Sequence, residues 1–220
     1  MTNHDYIRLV LSIWKKLILR GRIIVAIDGR CGSGKTTLAA RLQKDLRCAV
    51  YHMDDFFPRA EQRTEERLSR PGENVDHERF LKEILLPLHS TQPVTYRPFL
   101  CAQQQLGNPI TEEPNRLTIV EGAYACHPEL WEHYDLWVFL AINPEDQMRR
   151  IEKRNSPEKA KQFRDRWIPL EEQYFKTFDA PSRCDMRIIG YFHSRQLITC
   201  KTPSQTIPFE TGFCCVQLFA

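Results

Sequence analysis

Gly29-Arg30-Cys31-Gly32-Ser33-Gly34-Lys35-Thr36 fits the pattern GxxxxGK[ST] in full, with Thr37 directly after it. Residues of these types at this spacing bind phosphate. Glycines let a loop wrap an anion with its N–H groups turned inward, and a helix starting at the lysine adds the positive end of its dipole. Lys35 can then reach the β- and γ-phosphates of a nucleoside triphosphate, and the Thr36 hydroxyl can ligate Mg²⁺. The dinucleotide fingerprint GxGxxG does not match this stretch.

Two further groups could serve a phosphate-transferring site. Tyr51-His52-Met53-Asp54-Asp55-Phe56-Phe57 sets two carboxylates after a short β-prone run. Either could accept a hydroxyl proton as a phosphoryl group moves, or could cap a turn. In the basic run from Gln147 to Arg154, Arg149 and Lys153, and likewise Arg150 and Arg154, are like charges four residues apart. Such pairs disfavour an isolated helix unless an acid or a bound anion answers them. Glu145 and Asp146 reach only the first pair of bases, so the rest face either an anion or solvent.

These residues need elements to hold them. Arg22 to Ile27 is a β-branched run that feeds the glycine loop, and Lys35 to about Arg47 is helical. Ala49 to Met53 reads as a second strand, placed beside the first in a parallel sheet, and Glu78 to His89 as a helix that Asp76 or His77 could cap. Leu117 to Val120 and Asp135 to Ile142 are further strands. Asn143 followed by Pro144, Glu145 and Asp146 is a strong helix start, and that helix is expected to run to about Arg154. Trp167 to Phe178 is predicted as another helix and Met186 to Ile189 as a last strand. Alternation of this kind implies an α/β fold, with a central parallel sheet, helices on both faces and chemistry just beyond the carboxyl ends of the strands. The proline-bearing stretch 58–115, with strand-like Val94 to Tyr96, is expected to be a small substrate-covering insert such as a hairpin. Residues 1–20 show amphipathic helix spacing at Ile7, Val10, Leu11, Trp14, Leu17 and Ile18. Residues 21–190 would form the main domain, and 191–220 show no clear period.

The 220 residues, 42% hydrophobic and 27% charged with net charge +3, describe an ordinary globular chain. The longest apolar runs are too short to cross a bilayer, and the bases are interleaved with acids, which argues against nucleic acid as a partner. Eight cysteines at irregular spacings show no metal-ligand pattern, so reduced thiols are expected. The N-terminal pattern lacks the continuous apolar core of an export signal, which gives a cytoplasmic expectation. No NKxD guanine-reading motif is present, which disfavours a guanine-nucleotide switch.

Taken together, GRCGSGKTT, MDDFF, Asn74-Val75-Asp76-His77-Glu78-Arg79-Phe80, Tyr96-Arg97-Pro98-Phe99 and Ile119-Val120-Glu121-Gly122 resemble the uridine kinase family, in the group that also holds phosphoribulokinase and pantothenate kinase. The likeness spans roughly residues 22 to 189. It implies a P-loop kinase using ATP and Mg²⁺, with a small-molecule acceptor and possible homo-oligomers. Asp54 would be the catalytic base, Asp76 beside His77 would hold ribose hydroxyls, and Glu121 with Thr36 would hold the metal. Arg150 and Arg154 would close over the phosphates from a lid spanning about 147–166. Asp76 could equally be a helix cap, and Tyr96 and Phe99 could stack a base or anchor a hairpin onto the core. The acceptor implied is the 5′-hydroxyl of a pyrimidine nucleoside. Gln103, Gln104 and Gln105 stand where the family carries a base-reading His, so pantothenate, a sugar phosphate or another small alcohol stays open, as does a non-catalytic ATP-binding regulator.

Overall fold

The structure, a computed structural model, describes residues 1–189; the stretch 191–220 that showed no period lies outside the described residues. Helix α1 (Asn3–Arg20) precedes strand β1 (Ile23–Gly29), the glycine loop and helix α2 (Lys35–Leu46). Strand β2 (Ala49–His52) runs into a 3₁₀ turn at Met53–Phe56, so Asp54 lies on that turn and not on the strand. Then come α3 (Glu65–Ser69), α4 (His77–Phe80) and α5 (Leu86–His89), and four short strands: β3 (Val94–Tyr96), β4 (Phe99–Leu100), β5 (Gln105–Leu106) and β6 (Ile110–Glu112). Strands β7 (Leu117–Glu121) and β8 (Leu136–Ala141), helices α6 (Pro144–Arg154), α7 (Pro157–Gln162), α8 (Ile168–Phe178) and α9 (Ala180–Arg183), and strand β9 (Met186–Ile189) complete the order.

Five parallel strands form the central sheet in the order β2-β7-β1-β8-β9. This corrects one expectation: β2 is not next to β1, because β7 lies between them. Burial follows this order: every residue of the interior strand β7 is buried, whereas three of the four in the edge strand β2 are only half-buried. Side chains alternate across the pleat. Ile23, Val25 and Ile27 pack with Leu9, Ile13, Leu38 and Leu42 under α1 and α2. Ile24 and Ala26 face the second layer, with Phe56, Phe80, Ile84, Phe139, Tyr174 and Phe175.

Helix α1 starts in a capping box between Thr2 and Asp5 and stops at Gly21, whose φ of +73° suits glycine. Its buried face is Tyr6, Leu9, Ile13 and Leu17, while Ile7, Leu11, Trp14 and Ile18 are exposed. Most of the apolar spacing seen in the sequence therefore belongs to the outer side of this helix.

The helix predicted to start at Trp167 begins ten residues earlier. Ser156 caps α7 at Lys159 N, and a π turn at Phe163–Trp167 joins α7 to α8 without a break in helical dihedrals. Pro169 accounts for the π turn. It has no N–H to offer the carbonyl four residues back, and the wider turn before it absorbs the defect. The same device recurs before Pro87, where a π turn at Leu81–Leu85 links α4 to α5. The insert contains two small antiparallel ladders, β3 with β6 and β4 with β5. Cys31, Cys48, Cys126 and Cys184 are free thiols. Among the described residues no helix is long and apolar enough to cross a membrane.

Candidate active site

Strand β1 delivers the chain to a loop that only glycine can form. A Cβ on Gly29, at φ +141°, would sit 2.2 Å from the Leu140 carbonyl oxygen of β8. Gly32 and Gly34 take φ of +76° and +99°, the left-handed conformations that curl successive amides to one side. Gly34 starts α2 with no side chain capping it, and the buried Ser33 Oγ has no hydrogen-bond partner. An open helix N-terminus beside a curled loop fits a phosphate chain. Thr36 and Thr37 are exposed on the first turn of α2.

Lys35 is folded back onto the loop, its Nζ donating to Gly29 O at 2.7 Å and Arg30 O at 3.2 Å. Burial alone would lower its pKa, but the carboxylates of Glu171, Glu121 and Asp28 outweigh burial and raise it. Two of those acids, Asp28 and Glu171, were not foreseen from the sequence. Asp28 ends β1 fully buried and accepts from Gly29 N at 2.6 Å, Cys126 N at 3.0 Å and the Tyr174 hydroxyl at 2.9 Å, while burial pushes its pKa up. Its signal was a lone acid closing an otherwise apolar strand. Glu171, on α8, accepts from Cys31 N at 2.8 Å, and its neighbour Glu172 makes a two-pronged ion pair with Arg30. An acid at helical spacing from Trp167, Tyr174 and Phe175 was the sign available there.

A second cluster sits at the carboxyl ends of β2 and β7. Glu121 is buried, and its Oε1 lies 2.6 Å from His52 Nδ1. That hydrogen bond raises the His52 pKa against the effect of burial, with the charges of Asp55 and Asp54 helping. Asp55 is half-buried and its pKa is raised, first by burial and then by Asp54 and Glu121, with His52 and Arg79 opposing. Asp54 is the exposed member. Thr36 and Glu121 offer a hydroxyl and a carboxylate, a donor set suited to a Mg²⁺ ion that keeps most of its water.

The insert packs around the same turn. Asp76 N donates to Phe56 O at 2.7 Å, its Oδ1 caps α4 at Arg79 N, and its buried Oδ2 has no hydrogen-bond partner, with Arg79 Nε 3.5 Å away. Tyr96 stacks on Phe56 and meets Tyr51 edge-on, both with centroids 5.7 Å apart, and Phe99 leans on Phe57. Both are buried anchors of the hairpin. His77 is turned the other way. It stacks on His127 with centroids 4.0 Å apart and rings within 15° of parallel, and Glu73 Oε2 is 3.4 Å from its Nε2. Ligand atoms of Glu73, His77 and His127 come within 4.8 Å of one another. In-plane lone pairs of parallel stacked rings do not meet at one point, and His127 Nδ1 already accepts from Glu129 N at 3.3 Å, so the trio reads as packing and not as a metal centre. A cleft of about 300 Å³ opens beside His77, lined by Gln62, Thr64, Arg67, Glu73 and Glu78.

Of the two arginines expected in a lid, Arg150 lies on the phosphate loop, donating to Gly32 O at 3.0 Å. Arg154 is exposed, with its guanidinium 5.8 Å from the Phe163 ring centre. Arg149 pairs with Asp146, as the acids of the first turn allow.

A parallel sheet ending in this loop, with helices on both faces, is the fold of the P-loop kinases. A possible uridine kinase from Bacillus stearothermophilus superposes with a TM-score of 0.59 at 22% identity, covering 82% of this chain and 98% of that one. A provisionally named fructose transport system kinase from Silicibacter sp. TM1040 gives 0.62 at 22% identity, covering 86% and 99%. D-glycerate 3-kinase from Cryptococcus neoformans gives 0.52 at 14% identity, covering 69% and 78%. No family model and no curated protein matches the sequence.

Proposed function

We propose that this chain is a kinase that transfers the γ-phosphate of ATP to a small alcohol, with the 5′-hydroxyl of a pyrimidine nucleoside as the acceptor. The observation that carries the proposal is the exposed Asp54 carboxylate, set among His52, Asp55 and Glu121 at the strand ends. Asp54 takes the acceptor's proton as the hydroxyl oxygen attacks, and the neighbouring acids keep the local field negative, which favours proton acceptance. Loop amides, Lys35 and Arg150 hold and offset the phosphate charge. Mg²⁺, when bound through Thr36 and Glu121, neutralises charge on the transferring group. Asp76, whose buried Oδ2 lies 3.5 Å from Arg79 Nε, is the residue this reading assigns to the acceptor hydroxyls.

One observation favours a second reading of the acceptor. Tyr96 and Phe99 are packed into the core and do not stand open to stack a base, which suits a small non-aromatic alcohol. Mg-ATP-dependent ADP release over uridine, cytidine, other nucleosides, pantothenate and sugar phosphates decides between them, with Lys35→Ala as blank. Selective release with a pyrimidine nucleoside is the expected result; tight ATP binding without product from any acceptor would make the chain a nucleotide sensor. With the true acceptor, Asp54→Asn is expected to lower turnover about 10²- to 10⁴-fold while ATP affinity stays nearly constant.

A further inference from the structure

A phosphate loop is built to receive anions, yet here one of its amides already holds one. Glu171, on the buried face of α8 and only 6% exposed, sits on the Cys31 N–H at 2.8 Å. The next residue, Glu172, holds the Arg30 guanidinium, so two adjacent carboxylates of one helix grip two consecutive loop residues. Lys35 meanwhile spends its ammonium on the loop's own carbonyls, Gly29 O and Arg30 O. The loop is thus closed upon itself, with a protein carboxylate beside the place a nucleotide's phosphates would enter.

The geometry points to Glu171 as a positioning residue of the phosphate loop, whose carboxyl holds the loop through the Cys31 amide and takes up a proton from solvent when a nucleoside triphosphate binds. The inference rests on the nucleotide-binding reading of the loop given above. Groups facing Glu171 come from every element around it: Lys35 from α2, Asp28 from β1, Arg30 and Cys31 from the loop, and Tyr124 from the segment after β7. Lys35 is the cation among them that most favours the ionised form. Incoming phosphates draw Lys35 toward themselves and add several negative charges nearby, and both effects favour the neutral acid. Burial has already brought this carboxyl up to about 7, so it needs little further persuasion near neutrality. Protonated, it still lies against Cys31 and no longer repels the ligand.

The test is calorimetric titration of Mg-ATP into the full chain at pH 8, in buffers of different ionisation enthalpy, for wild type, Glu171→Gln and Glu171→Ala. Gln keeps an acceptor for the Cys31 N–H without the charge; Ala removes both. Wild type is expected to take up a large fraction of one proton per ATP more than Glu171→Gln. Its apparent Kd is expected to rise about tenfold per pH unit above pH 7, so that Glu171→Gln binds about tenfold tighter at pH 8. Glu171→Ala, lacking the contact that orders the loop, is expected to bind more weakly than Glu171→Gln at every pH. Equal proton counts in wild type and Glu171→Gln would overturn the inference, as would weaker binding by Glu171→Gln at pH 8. Wild type alone is decisive should the variants not fold, since binding at pH 8 with no buffer dependence also overturns it. Failure of wild type to bind ATP at all would overturn the nucleotide reading itself, a different result from binding without a proton.

Discussion

Around Lys35 the structure gathers three acids, Asp28, Glu121 and Glu171, and the sequence announces them unequally. Lys35, Thr36 and the glycines form a local pattern whose chemistry follows from spacing alone, so that part of the site was legible. Glu121 was legible as an acid closing a strand. Glu171 arrives from well over a hundred residues away, and no spacing rule connects it to the loop. Its raised pKa carries a stability consequence of definite sign. The unfolded chain binds and loses this proton near the ordinary carboxylate value, whereas the folded state holds it to about 7. Stability from this group is therefore complete below about pH 4.5 and is lost as pH rises through 7. Glu171→Gln is expected to be more stable than wild type at pH 8, by about 1–3 kcal/mol once the loss of Lys35's partner is discounted, and no more stable at pH 4.5. Urea unfolding at the two values measures the difference; a variant less stable at pH 8 would contradict it.

At the scale of elements, the places where the sequence was misleading share a physical cause, which is that local pattern does not encode what packs against it. The stretch from Trp167 to Phe178 reads as a separate helix, yet a π turn at Phe163–Trp167 joins it to α7. The outer stripe of α1, Ile7, Leu11, Trp14 and Ile18, has better helical spacing than a surface needs, and it hid the buried stripe one residue away. Order in the sheet was likewise beyond local reading, because β1 pairs with β7 and β8, segments far from it in the chain. The caps, by contrast, are side-chain chemistry confined to four residues, and Asn143 caps α6 at Asp146 N as expected. The junction of β7 with the turn after β2 is tight. A Cβ on Gly122, at φ +147°, would lie 2.6 Å from Met53 Cβ. Gly122→Ala is expected to cost about 2–4 kcal/mol through backbone strain and displacement of the turn that bears Asp54. Denaturant unfolding checks the cost, and loss of turnover beyond the loss of folded protein would show that the turn itself has moved.

For the molecule as a whole, the stacked pair His77 and His127 ties the insert to the segment after β7. Burial, with the charge of His77 next, lowers the His127 pKa to about 3. A folded pKa below the unfolded value near 6.5 gives stability that is present above 6.5 and drains away as pH falls toward 3. His127→Gln is expected to lose less stability between pH 7 and pH 4 than wild type, by a few kcal/mol, which melting curves at the two values would show. Identical slopes would mean that another group governs the acid limb.

The same architecture fixes when a phosphate loop can exist at all. Ile23 of β1 pairs with Leu117 and Val25 with Leu136, so the loop-bearing strand gains its neighbours roughly ninety to a hundred and ten residues after it is made. At synthesis rates of about 5–20 residues per second, β1 waits on the order of five to twenty seconds on the ribosome with α1, α2 and unpaired edges for company. A message truncated before β7 would therefore leave no partial nucleotide binder, only an apolar strand looking for another chain.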